Sequence, residues 1–146
     1  YYLTAVGLSM DDNMRAELCA ATVENTAAAY PEFCGAVLHS DRGSQYTSAS
    51  YRAALNEYGV KQSMNSAGGR CHDNARCESI RGLVTRMKNE LFYSRGRRST
   101  DYTTEQLKTM IWCYYMSYWN NRRICSSIGG MPPAEKRRRY YSDKTG

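Results

Sequence analysis

Two acidic residues stand where chemistry could be done. Asp41 directly follows a short apolar run, GAVLH at residues 35–39 and Ser40, in a turn that contains Gly43. Open α/β sheets place ligand chemistry at this position, just beyond the carboxyl ends of their strands. Glu78 falls one turn into a helical pattern that begins after a loop, NSAGGRCH, with a glycine pair. A carboxylate at a strand end facing one on a nearby helix offers oxygen ligands suited to Mg²⁺ or Mn²⁺. Two such ions roughly 3.5–4 Å apart can activate a nucleophile and stabilise the leaving oxygen in phosphodiester chemistry. Each acid has a plainer use as well. An Asp in a turn commonly caps a helix or closes an Asx-turn, and a helical Glu is commonly solvated.

The elements that would position these residues alternate along the chain. The run Tyr1 to Val6 is aromatic and β-branched enough for a strand. Asp11 or Asp12 can N-cap a helix through Met14, Leu18 and Ala21 to Ala29, which Pro31 ends. GAVLH then reads as a short buried strand. Thr47 or Ser48 caps the next helix, with Tyr51, Leu55 and Tyr58 on one face and Gly59 at its stop. A strand over Val60 to Met64 precedes the glycine loop, and Asp73 is placed to cap a long helix from Asn74 to Leu91. The basic loop SRGRRST leads to a last helix from Thr103 to Asn120. Its positions Leu107, Ile111, Tyr114, Tyr115 and Tyr118 form a core stripe rather than a base-stacking platform. After Met131 the Pro132-Pro133 pair and the charge that follows predict a loose tail. Strands alternating with helices indicate an α/β domain over residues 1–131, with a basic C-terminal tail at 132–146.

Bulk properties narrow the partners. A chain of 146 residues fits one domain with a proper core, and no apolar run approaches the ~20 residues that span a bilayer. The opening lacks the basic region and small-residue cleavage site of a signal peptide and does not begin with Met, so a cytosolic fragment is expected. Net charge is +6, with Lys and Arg clustered at 81–88, 95–98, 122–123 and 136–139. Such a surface suits a polyanion such as DNA, because each neutralised phosphate releases counterions; a merely solvated basic surface would look the same. The six cysteines show no framework spacing, and neither His39 nor His72 completes a usual zinc pattern with them. Reduced, mostly buried thiols are the expectation.

The wording around the two acids adds a resemblance. HSDRGSQYTS at 39–48, Ser63-Met64, GGRCHDNARCES at 68–79, MKNEL at 87–91 and YWNNRR at 118–123 together resemble the integrase core of IS3-type insertion-sequence transposases. The likeness runs from about Met10 to Lys136 in ordered motifs. It implies an α/β, RNase H-like integrase core with a mixed sheet and flanking helices. It also implies metal-dependent phosphoryl transfer on DNA, with two Mg²⁺ or Mn²⁺ ions held by an Asp–Asp–Glu triad. By that resemblance Asp41 is the second triad acid and Glu78 the third. Asn74 lies in the family's DN pair, four residues before Glu78 and so on the same helical face. Lys88 resembles the basic residue that follows the Glu, and Asn120 and Arg123 lie in the aromatic–Asn–x–x–Arg segment. DNA contact by Asn74, Lys88, Asn120 and Arg123 is implied, with helix-cap or salt-bridge roles standing beside it.

Three departures bear on that reading. The family's first triad Asp lies upstream of the segment that YYLTAV resembles, and this chain begins after it. YYLTAV also runs straight into GLSMDDNMRAEL, without the turn and strand that normally intervene. Finally, 36 residues separate Asp41 from Glu78, one more than is typical, and the helix carries about three extra residues before Lys88, leaving it roughly 60° short of a full turn. The fold is therefore expected to be incomplete at its N-terminal edge, and the chain a truncated or decayed copy. Asp11 and Asp12, ahead of a helix, are read as caps and not as a replacement acid. The partners implied are element-end and target DNA, with a homo-oligomer on DNA in the bacterial cytoplasm and no membrane. Two other classes remain: a catalytically inactive remnant that binds DNA or an intact transposase, and a small zinc-binding interaction module.

Overall fold

The structure, a computed structural model, describes residues 3–13, 15–65 and 75–145, with only the backbone described for residues 75–81 and 145. Most of the described chain is helical: α1 Ala16–Ala29, α2 Ser44–Thr47, α3 Ala49–Glu57, α4 Ala75–Leu91, α5 Thr104–Trp112 and α6 Pro133–Thr145, with a π-helical stretch Cys113–Trp119 continuing α5. Two strands, β1 Val37–Ser40 and β2 Lys61–Met64, pair in parallel. The architecture thus mixes α and β as expected, but among the described residues the sheet is two-stranded and parallel rather than mixed. No helix among them is long and apolar enough to cross a membrane.

The chain forms two compact units, with the division inside α4 after Arg86. In the unit formed by Gly7–Arg86, α1 packs on α3, and Ala20, Val23, Tyr51, Ala54, Leu55 and Val60 form the buried cluster. Gly7 passes so close to α1 that a Cβ there would lie 2.0 Å from the Thr26 hydroxyl. Ser48 caps α3 by accepting the Tyr51 N–H at 3.2 Å. At the other end Gly59 adopts φ +64°, its N–H donates to the Asn56 carbonyl, and Val60 N–H donates to Leu55 at 2.8 Å. This pair of bonds is a Schellman stop: the left-handed residue satisfies the last carbonyls and sends the buried Val60 straight into β2.

Several expectations fail here for identifiable reasons. Residues 3–6 form no strand, and α1 begins at Ala16 behind Arg15, with neither Asp11 nor Asp12 capping it. Asp11 instead accepts the N–H of Asp12, a local turn that leaves the helix to start later. Val37 is 67% exposed, so β1 is only partly buried, as a strand at a sheet edge must be. Of the thiols described, Cys125 is buried, Cys19 half-buried, and Cys34 and Cys113 exposed.

In the second unit, residues 3–6 and 87–145, Met87, Phe92, Tyr114, Trp119, Cys125, Ile128 and Pro133 are buried. Thr103 and Gln106 cap α5 reciprocally: Gln106 N–H donates to the Thr103 hydroxyl and Thr103 N–H to the Gln106 carbonyl oxygen. The widening to π geometry after Trp112 shifts the register of the aromatic stripe. Tyr114 is buried, but Tyr118 is 41% exposed, and Trp119 with Asn120 takes the inward face. The stretch after Met131 is not loose. Pro133 starts α6 at the position where a missing N–H costs nothing, and Glu135 pairs with Arg138 and Arg139 one turn on.

Candidate functional site

The HSDRG segment sits at the carboxyl edge of the parallel pair, where β1 and β2 end in register at Ser40 and Met64. Each of its side chains has a distinct job. His39 spans both strands, with Nδ1 3.0 Å from the Ser63 hydroxyl and Nε2 3.0 Å from Asn65 Oδ1. The Asn oxygen can only accept, so Nε2 donates to it, while Nδ1 bonds the Ser63 hydroxyl. Arg42 reaches the same residue, donating Nε–H to the Asn65 carbonyl at 2.7 Å. Two residues of β1's exit thereby fix the first residue after β2.

Between them Asp41 is half-buried in the turn. Its Oδ1 accepts the Gly43 N–H at 2.9 Å, an Asx-turn that orients the carboxylate just before α2. Its other oxygen accepts no hydrogen bond from a described residue. A carboxylate held by one oxygen and open at the other is a suitable monodentate ligand for a hard cation.

The other acid, Glu78, lies in the first turn of α4, and its side chain is outside the described residues; Asn74 and Asp73 lie outside them altogether. Among the described residues no group of three or more His, Cys, Asp or Glu side chains gathers as a metal site. Lys88 is exposed on the last turn of α4.

Asn120 and Arg123 have structural partners that spacing did not reveal. Asn120 is 6% exposed and holds the backbone of Ala5 at both ends of its amide. Arg123 forms an ion pair with Glu90 and lies over the Trp119 ring at 5.5 Å. Glu90 also accepts the Tyr114 hydroxyl at 2.8 Å. Burial, reinforced by this hydrogen bond to a carboxylate, pushes the Tyr114 phenol well above its usual range. For Arg123, partial burial works against the charge, but the Glu90 carboxylate outweighs it and the guanidinium is held more firmly protonated. No signal in the sequence marked Glu90 as the partner, 33 residues away.

Residues 4–69 match the integrase core domain family. The chain is 39% identical over 108 residues to the transposase for insertion sequence element IS629 of Shigella sonnei, covering 74% of this chain and 33% of that protein. It is 39% identical over 109 residues to the putative transposase InsK for insertion sequence element IS150 of Escherichia coli K12, covering 72% and 34%. An uncharacterised 31 kDa protein of insertion element IS600 from Shigella sonnei is 31% identical over 141 residues, 97% of this chain and 49% of that protein. The chain thus spans from a third to about half of the length of these relatives.

Within residues 4–69, the segment that matches the integrase core domain, a carboxylate stands at the end of a parallel strand. The chain is a relative of insertion-sequence transposases, consistent with the IS3 type that its motifs resemble.

Proposed function

We propose that this chain is part of the catalytic core of a DNA transposase, with an RNase H-like fold, acting by metal-dependent phosphoryl transfer. The observation that carries the reading is the Asp41 carboxylate at the strand end, fixed by Gly43 N–H through one oxygen while the other accepts no hydrogen bond from a described residue. Asp41 and Glu78 would hold the divalent ions, Mg²⁺ or Mn²⁺, as the second and third acids of the family triad. Bound ions would supply activation of the attacking hydroxyl and stabilisation of the leaving oxygen.

The chain's own residues do the positioning. His39 and Arg42 lock the two strand ends through Asn65, so Asp41 keeps its direction without help from substrate. Lys88, exposed on α4, can neutralise a phosphate, which sets register and affinity rather than sequence choice. Asn120 and Arg123 serve this reading as supports of the fold, through Ala5 and Glu90. The partners would be the element ends and target DNA, bound by a homo-oligomer at the bacterial nucleoid.

Strand cleavage and strand transfer on a labelled transposon-end duplex, with Mg²⁺ or Mn²⁺, tests this beside Asp41→Asn and Glu78→Gln. Metal-dependent products lost in both variants are the expected result. Salt-sensitive DNA binding without products would instead make the chain a non-catalytic DNA-binding or transposase-partner-binding form. The absence of both binding and cleavage would sink the proposal.

A further inference from the structure

A second place on the chain has the chemistry of a phosphate site. Between α4 and α5 two short 3₁₀ turns, Tyr93–Arg95 and Ser99–Asp101, are joined by Gly96 at φ +65° and the two arginines that follow. The joined turns enclose an open cavity of about 480 Å³ lined by Tyr93, Gly96, Arg97, Arg98, Ser99 and Thr100. Two guanidiniums, two hydroxyls and a 60% exposed phenol therefore surround one concavity.

Arg97 is anchored from behind. Its Nη1 donates to the Tyr102 hydroxyl at 3.1 Å, and the Tyr102 ring packs against the buried Phe92 at 5.8 Å between centroids. The carboxylate of Asp101, three residues after Arg98, is engaged by backbone: it accepts the Arg98 N–H at 2.8 Å. Among the described residues neither the Arg97 nor the Arg98 guanidinium is in an ion pair, whereas Arg123, Arg138 and Arg139 all are. Arginines that the fold leaves without counter-charges around a cavity lined by hydroxyls are suited to forked bonding of phosphate oxygens. A solvated basic loop would need neither the cavity nor the Tyr102 anchor.

We propose that this cavity binds phosphodiester groups of a DNA backbone, a contact distinct from Asp41 and Glu78; the choice of DNA as the source of those groups rests on the transposase reading above. It positions the strand and carries no sequence preference.

The test is fluorescence anisotropy of the full chain with a labelled DNA duplex, between about 0.05 and 0.3 M salt. Arg97→Gln/Arg98→Gln should flatten the slope of log K against log salt by about 1.8 and weaken binding roughly 30-fold at 0.15 M salt. Arg97→Lys/Arg98→Lys should restore most of the slope, since charge count sets it. Arg52→Gln/Lys61→Gln removes the same charge from the other unit and should leave the slope near wild type. Equal flattening in both Gln pairs would reduce the effect to net charge and overturn the site. So would an unchanged slope in Arg97→Gln/Arg98→Gln. A wild-type chain that binds no DNA would overturn the transposase reading itself, a result separable from the other two.

Discussion

Asn120 pairs with Ala5 as a strand neighbour would. The Ala5 N–H donates to Asn120 Oδ1 at 2.9 Å and Asn120 Nδ2 donates back to the Ala5 carbonyl at 2.9 Å. Beside it the Trp119 indole donates to the Leu3 carbonyl at 3.1 Å, and the Thr4 hydroxyl donates to the Pro133 carbonyl at 3.1 Å. Residues 3–5, which lie in no strand among the described residues, are thus held by side chains from the end of the π-helical stretch.

Replacing Asn120 removes two hydrogen bonds and leaves two part-buried backbone groups without partners. Asn120→Leu should cost about 2–3 kcal/mol. Urea unfolding should show a lowered midpoint at constant m. An unchanged midpoint would mean that residues 3–6 add nothing to the unit.

The Glu90–Arg123–Tyr114 cluster should behave as a unit. Glu90→Gln leaves the Arg123 guanidinium without its counter-charge in a part-buried site and should destabilise by about 2 kcal/mol. A double-mutant cycle with Arg123→Met should return a coupling of about 1–2 kcal/mol. Additive losses would show that the two side chains act separately.

Tyr51 gives a pH signature. Burial, with smaller contributions from Tyr46 and Cys19, pushes its phenol up to about 12 in the fold. The unfolded chain therefore loses this proton first as pH rises past about 10. The stability it confers is fully present below pH 10 and is lost between about 10 and 12. Tyr51→Phe should make the chain less steeply alkali-sensitive across that window, read as the wild-type minus variant difference in unfolding free energy. A pH-independent difference would rule the account out.

Gly59 can be tested by its backbone alone. With φ at +64°, Gly59→Ala should cost about 1 kcal/mol, seen in thermal melts, while Gly82→Ala, inside α4, should be neutral or stabilising. Equal effects at both positions would mean that the stop after α3 tolerates a Cβ.

Asp41→Asn should leave the fold intact, because an amide oxygen accepts the Gly43 N–H as well as a carboxylate does. Stability should stay within about 0.5 kcal/mol of wild type, while Mn²⁺ binding, followed by its paramagnetic resonance signal, should weaken at least tenfold. Retained Mn²⁺ affinity would remove Asp41 from the metal site.

What the sequence determined by itself was local. The stop at Pro31, the Ser48 cap, the Gly59 turn and the strand ahead of Asp41 each depend on neighbours a few residues away, and each stands in the structure. The motif wording likewise led to the integrase core family, since short ordered runs survive as text. The tertiary structure decided the rest. Asn120 and Arg123 are polar and could face DNA on any helical projection; their burial depends on Ala5, 115 residues distant, and on Glu90. The π widening after Trp112 turned Tyr118 outward and Trp119 inward against the simple helical period. The last helix formed where charge predicted a loose tail, because Pro133 is buried and Glu135 meets two arginines. Periodicity reports which face a residue takes relative to its own element, whereas burial of a polar group requires a partner, and partners come from anywhere in the chain.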